Sequence, residues 1–515
     1  MSRKSLQLRA SAALTVTILT VASPAAGQQI LWQIEANSDD DALAEARVGP
    51  DLDGDGVPEL FFGFLGELCT ATSGGVAKLF STSGGQLAQW CGSFPSAFGA
   101  PIRWLDDIDG GGTPDFAVGD AAYHEPTLGP NTGRICVYST ETELLLYQVV
   151  GTQPDGRLGR FDVIADVNAD GARDLLVSLY EYGSSGEGET WILSSVDGSI
   201  LRMHIGSVPW AFLGRFFGAI GDVDGDGVDD YALSVAGGVD VYSGSSGATY
   251  RHLAAGKRAN FGCSIAKASD LDGDGLADVL ISSASTRYTG RGVVDAISPA
   301  SGNVIWTIDN DPLKDFFGRP VIEVADQNDD GYREYLMCAY EDGHDGKSAG
   351  RVDLISGATR RPLFIFYPDT SRARYFGQFM APGADFNGDG IEDFVIGTPD
   401  GGDLSNDAGL FQIRAGNDLW LQADPIAPID GDTVVVDLRG PPKGQLGLIA
   451  LVAIDGVETF ETLLLATFNP RNEMQFCADV DSSLSGMEFT LMGYAQNKNG
   501  RGPLLEASPF VVSVQ

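Results

Sequence analysis

Positive charge is scarce in this sequence. Lys and Arg number 33 against 71 Asp and Glu, a formal net charge of −38 over 515 residues. A field of that sign repels nucleic acid and anionic membrane surfaces and draws cations, so nucleic acid is excluded as a partner. Histidine is scarcer still. His124, His204, His252 and His344 are scattered along the chain, and no HExxH pair occurs, which removes the commonest metalloprotease centre. Six cysteines without a CxxC pair make neither a disulfide scaffold nor a zinc ribbon. Cys69 and Cys91 are near enough in sequence that a bridge is plausible. Cys136, Cys263, Cys338 and Cys477 sit in apolar strand contexts and read as buried thiols. Long apolar runs are missing after the N-terminus, the longest being Leu446 to Ile454, which reads as a buried strand.

The N-terminus has the form of an export signal. Arg3, Lys4 and Arg9 are followed by an apolar stretch at 10–21 and then by Ala22, Ser23, Ala25, Ala26 and Gly27. The stretch is short for a membrane span of roughly 20 residues. Cleavage near Gly27 would remove three basic residues and take the net charge to −41. The expected product is a soluble, secreted chain from about residue 28, extracellular, on the cell surface or in a periplasm.

The acid is focused rather than spread. DLDGDGVPE begins at Asp51, and relatives begin at Asp107 (DIDGGGTPD), Asp166 (DVNADGARD), Asp222 (DVDGDGVDD), Asp270 (DLDGDGLAD), Asp326 (DQNDDGYRE) and Asp385 (DFNGDGIED). Successive copies are 56, 59, 56, 48, 56 and 59 residues apart. Eight or nine residues upstream of six of them stands an aromatic residue or Leu followed by Gly: Phe98-Gly99, Leu158-Gly159, Leu213-Gly214, Phe261-Gly262, Phe317-Gly318 and Phe376-Gly377. Downstream come a short apolar run, a variable polar loop, a Gly-led alternating strand, a Ser-Gly or Asp-Gly turn and a last strand. Each unit therefore reads as four short strands with no helical periodicity. One four-stranded sheet cannot bury both its faces, whereas seven packed radially can, which predicts an all-β, seven-bladed β-propeller over 28–416. The segment 30–34 looks like a fourth strand standing alone, and the last repeat stops one strand short near 413. The N-terminal strand is therefore expected to close the ring.

In DxDxDGxxD, oxygen side chains fall at positions 1, 3, 5 and 9, a backbone carbonyl is expected from position 7, and Gly at position 6 allows a left-handed turn. The expected donors are Asp51, Asp53, Asp55, Val57 and Glu59 in the first copy and Asp166, Asn168, Asp170, Ala172 and Asp174 in the third. Asp222, Asp224, Asp226, Val228 and Asp230 serve the fourth, and Asp270, Asp272, Asp274, Leu276 and Asp278 the fifth. The sixth offers Asp326, Asn328, Asp330, Tyr332 and Glu334, and the seventh Asp385, Asn387, Asp389, Ile391 and Asp393. The second keeps Asp107, Asp109 and Asp115 but has Gly111 at position 5, so its site is expected to be weak or empty. A solvated acidic turn accounts for one such loop, but not for several in one register, because clustered carboxylates repel. Oxygen donors without His or Cys favour Ca²⁺. An EF-hand is excluded, because position 12 is apolar in every copy (Phe62, Val118, Val177, Leu233, Ile281, Met337, Ile396).

Together, the Phe-Gly element, the acidic loop and the Gly397-Thr398-Pro399 turn resemble FG-GAP repeats of integrin-α-like propellers and their bacterial relatives, over roughly 29–416. The resemblance implies structural calcium on one face of the ring, partners on the opposite face or rim, and an adhesive role. The first copy departs from it, with Ala42-Leu43 at the Phe-Gly spacing. After about residue 417, six or seven strand-like segments suggest a small β-sandwich, serving as stalk, sorting module or second binding domain.

The function expected is non-catalytic recognition, adhesion or display by a monomer, with an extracellular protein or carbohydrate as partner. The alternatives are a polysaccharide-processing hydrolase or lyase on the propeller, and a structural envelope or matrix component. The long loops at 123–132, 180–189 and 340–348 set aromatics or His beside acids, which suits recognition.

Overall fold

The computed structural model describes the chain except residues 1–29, 36–42, 66–73, 84, 94–96, 182, 184, 284–291, 310–316, 328–330, 341–349, 368–374, 387–391, 399–409 and, after 414, all but the backbone of the strands. The export segment therefore lies outside the described residues, as does His344.

Seven antiparallel four-stranded sheets follow one another along the chain. Their first strands are Leu43–Val48, Phe98–Trp104, Arg160–Val163, Phe217–Gly221, Phe261–Ala268, Val321–Val324 and Phe379–Pro382. Each first strand touches those of the sheets before and after it, and the seventh touches the first. The sheets are thus the blades of a closed propeller, with these strands innermost around a central channel. Blade 7 is completed by the N-terminal strand Ile30–Glu35, which pairs antiparallel with Leu410–Arg414. The expected clasp is present.

Second strands are buried on both faces. Leu60–Phe64, Phe116–Asp120, Leu175–Leu179, Asp278–Ser283, Glu334–Ala339 and Phe394–Thr398 are buried at every position. A strand sandwiched between two neighbouring blades has no solvent side, so it reads as a continuous apolar run. Outermost strands such as Ile200–Ile205 and Val304–Asp309 alternate between covered and exposed positions. Among the described residues the propeller core falls into seven apolar clusters, each shared by two consecutive blades. Between blades 1 and 2, Phe61 lies among Trp90, Trp104 and Phe116, with ring centroids 4.8–5.5 Å away. No blade owns its core alone.

The Phe-Gly glycine has a structural reason. Gly99, Gly214 and Gly318 take φ of 118°, 69° and 83°, a region costly for residues with a Cβ. The carbonyl this turn presents docks on the second strand of the preceding blade. Ser178 Oγ donates to Gly214 O at 2.6 Å, Ser282 Oγ donates to Gly318 O, and Gly63 packs so tightly on Gly99 O that any Cβ would collide.

Cys136, Cys263 and Cys338 are buried thiols outside any disulfide, as their strand context predicts. Cys91 is disulfide-bonded, while Cys69 lies outside the described residues. The last hundred residues contain two antiparallel sheets: one joins Trp420–Asp424, Thr433–Arg439 and Glu473–Asp479, and the other is built around Leu446–Ile454, Val457–Thr467 and Glu488–Gln496. Among the described residues no helix is long and apolar enough to cross a membrane.

Candidate metal centres

Every acidic loop joins the first and second strands of its blade, so all seven lie on the same face of the ring. The position-9 acid begins or immediately precedes the fully buried second strand and is itself buried (Glu59, Asp115, Asp174, Asp230, Asp278, Glu334, Asp393). It holds the loop closed by accepting the position-2 N–H. Leu52, Ile108, Val167, Val223, Leu271, Gln327 and Phe386 donate to it at 2.5–2.8 Å. The position-1 aspartate accepts from the glycine at position 6 in blades 1 to 6 (Gly56, Gly112, Gly171, Gly227, Gly275, Gly331) at 2.8–2.9 Å. These glycines have φ of 89–99°, and a Cβ on any of them would meet nothing. The backbone angle alone demands glycine there.

The loop thereby turns its carboxylates toward one another. Asp51, Asp53 and Glu59 place an oxygen each within 4.8 Å of the others, and so do Asp107, Asp109 and Asp115; Asp222, Asp224 and Asp230; and Asp270, Asp272 and Asp278. Position-5 acids stand beside them: Asp55, Asp170, Asp226 and Asp274 accept from the position-7 N–H of Val57, Ala172, Val228 and Leu276 at 2.8–3.0 Å. In blade 3, Asn168 at position 3 donates to Asp170 Oδ2 at 2.8 Å. Asp326, Tyr332 and Glu334 in blade 6 and Asp385 and Asp393 in blade 7 are described, whereas Asn328, Asp330, Asn387, Asp389 and Ile391 lie outside the described residues.

Burial, reinforced by neighbouring carboxylates, pushes the position-9 acids up: Asp174 and Asp230 to about 6 and Asp278 to about 7. Asp278 is the extreme case for a local reason. Thr140 N–H and Gly244 N–H, from the turn between third and fourth strands, satisfy Asp115 Oδ1 and Asp230 Oδ1 at 3.0 and 2.7 Å. Blade 5 has Pro299 in that place, which has no N–H, and Asp278 Oδ1 is buried without a partner. Hard oxygen donors gathered around an unsatisfied buried carboxylate fit a divalent cation, and these clusters could hold one.

Sequence reasoning missed two kinds of supporting residue. Ser194 Oγ donates to Asp170 Oδ2 at 2.9 Å, Ser243 Oγ donates to Asp226 Oδ2 at 3.2 Å, and Ser245 Oγ donates to the same oxygen. Serine one or three residues ahead of the Ser-Gly or Asp-Gly turn was the available signal. In blade 2, where Gly111 replaces the position-5 acid, a Cβ on Gly111 would collide with the Glu141 carboxylate. An acid from the neighbouring turn occupies the space the missing side chain leaves. Of the histidines, His124 and His252 are exposed, and His204 is half-buried with Nε2 2.7 Å from Tyr231 Oη. None lies with another into a metal-binding group among the described residues.

The FG-GAP repeat family model matches residues 376–412. The match opens at Phe376-Gly377, spans the acidic loop of blade 7 and ends in the third strand of that blade. The same unit of glycine turn, inner strand, acidic loop and buried strand recurs in blades 2 to 6.

Proposed function

We propose that this FG-GAP β-propeller is a secreted, calcium-stabilised recognition protein without catalytic activity of its own. The observation that carries the proposal is the recurrence of one acidic cage at equivalent points of blades 1, 2, 4 and 5, closed each time by a buried position-9 acid. Gathering three or four carboxylates costs strong repulsion unless a cation offsets it. Bound there, calcium would supply charge neutralisation and link an inner strand to its buried neighbour. It stabilises; it does not react. The regular acids are thus assigned to the fold, and recognition falls to the opposite face, where loops such as 123–132 and 180–189 emerge. The two C-terminal sheets suit an attachment or second binding module. The N-terminal basic-apolar-small pattern supports export.

The test is a thermal melt of the chain from residue 28 onward in millimolar calcium, in millimolar magnesium and in excess chelator. Each site filled only in the folded ring adds about 2.7 kcal/mol at a hundred-fold excess over Kd. A large rise specific to calcium is expected. Identical melts in all three buffers would remove calcium, and the stabilising role of the loops, from the proposal.

A further inference from the structure

The mouth of the central channel, on the face opposite the acidic loops, holds a cavity of about 340 Å³ lined by Arg160, Phe216, Ser264, Arg319, Tyr340 and Gln378 among others, with no carboxylate among its described lining residues. That is unusual on a chain with more than twice as many acids as bases. The arginines share one origin: Arg160, Arg215 and Arg319 each directly follow the Phe-Gly-type glycine of blades 3, 4 and 6, where blades 2, 5 and 7 have Ala100, Cys263 and Gln378. The turn that docks each blade on its neighbour thus delivers the next side chain to the channel mouth.

Deeper in the channel every arginine is matched. Arg103 bridges Glu45 and Asp162 at 2.6 Å each, and Arg47 pairs with Glu45 at 2.5 Å. At the mouth, no carboxylate among the described residues pairs with Arg160, Arg215 or Arg319. They rest on aromatic rings instead, Arg319 and Arg215 at 5.1 and 5.6 Å from the Phe216 centroid and Arg160 at 5.0 Å from Tyr180. Burial, with added repulsion from Arg215 and Arg319, holds the Arg160 guanidinium below its usual pKa. Guanidinium forks that meet no carboxylate among the described residues, in a partly desolvated cavity, are suited to an oxyanion from outside.

An aromatic platform continues outward from the cavity. Tyr180 contacts Phe212 at 6.4 Å, Phe212 contacts Trp210 at 6.3 Å, and Trp210 is 70% exposed. A large indole left in solvent beside a cationic cavity offers a flat apolar face next to an acid-binding one. We propose that the channel mouth binds an acidic saccharide, its carboxylate held between Arg160 and Arg319 and an adjoining sugar ring laid on Trp210. This deepens the recognition role proposed above and rests on it, but does not require calcium in the loops.

The test is titration calorimetry of the full chain from residue 28 at physiological salt and fixed low calcium. The probes are a uronate-containing tetrasaccharide (a hyaluronan fragment), its carboxyl-reduced neutral counterpart, and tetraglutamate. Binding of the uronate fragment is expected, with loss of at least tenfold in affinity for the reduced counterpart, for R160Q and for R319Q, and a smaller loss for W210A. The comparison of acidic with reduced sugar uses wild-type protein only, so it stands even where a variant folds poorly, and each variant is first checked for an unchanged melt. No binding of the uronate fragment, equal binding of the reduced one, or binding that survives R160Q/R319Q would overturn the site. Tetraglutamate binding more tightly than the sugar would overturn the ligand class. Repeating the titration in chelator on still-folded protein separates failure here from failure of the calcium proposal.

Discussion

Ala169 stands at position 4 of the blade 3 loop with φ of 60°, where Gly54, Gly110, Gly225 and Gly273 serve at 77–82°. A Cβ in the left-handed region costs roughly 1–2 kcal/mol, partly offset by the backbone entropy that glycine adds to the unfolded chain. Ala169→Gly should therefore raise stability by about 0.5–1 kcal/mol, read as a higher denaturant midpoint with unchanged slope. Glu141 offers a sharper test of how the loops work. If it stands in for the missing acid of blade 2, Glu141→Gln should reduce the calcium-induced rise in melting temperature and leave the melt in chelator unchanged. An equal loss in both buffers would give Glu141 a packing role only. His204 carries a pH effect of definite sign. Burial, with the nearby Arg202, lowers its pKa below the ordinary 6.5. The unfolded chain then takes up the proton first, so His204 favours folding above pH 6.5 and that contribution is lost as pH falls through 6.5 toward its folded pKa. At fixed calcium, the loss of stability between pH 7.5 and 5.5 should be smaller in His204→Gln than in wild type.

Strands carry the energetics of a ring whose core is divided among its interfaces. Phe61 is fully buried in the second strand of blade 1 yet contacts Phe116 of blade 2, so its loss opens a cavity between two blades rather than within one. Phe61→Ala should cost about 3–5 kcal/mol by chemical denaturation. The closing strand Ile30–Glu35 pairs with Leu410–Arg414 and packs Leu31 against the apolar cluster between blades 7 and 1, and a chain starting at residue 36 leaves blade 7 with an open edge. Such a chain should melt lower and self-associate, which light scattering alongside the melt would show. This much was written in the sequence, because the blade period, the apolar second strand and the missing last strand are all patterns along the chain. So was the acidic loop, whose oxygen-bearing side chains are spaced within nine residues. What pattern reading could not supply were partners brought from elsewhere: Ser194 and Glu141 reach the loops from a turn after the third strand, and Pro299 matters only because it stands where blades 2 and 4 have a donor N–H, while Asp278 Oδ1 has no partner. The arginines at 160, 215 and 319 were visible as residues following glycine, but nothing local says that successive blades aim that position at one channel mouth.

For the molecule as a whole, the question is whether the calcium proposed for one blade would act on that blade or on the ring. Each apolar cluster joins consecutive blades, and the N-terminal strand locks the last blade shut. No blade can therefore unfold without stripping a core face from both neighbours. The ring should then unfold as one unit, and free energy supplied at any loop should be shared by all. This differs from an open solenoid, where terminal repeats fray independently. Asp224→Ala isolates the effect, since that side chain accepts only the Asp226 N–H at 3.1 Å within the loop and its loss leaves the closure made by Asp222 and Asp230 in place. In saturating calcium the variant should lose up to about 2.7 kcal/mol if the site was filled to a hundred times Kd. Hydrogen exchange should report that loss equally in Tyr231 of blade 4 and in Phe61 of blade 1, most of a half-turn away. In chelator the variant and the parent should exchange alike. Protection lost in blade 4 alone would mean that the blades open one at a time, and that each calcium serves only the turn that binds it.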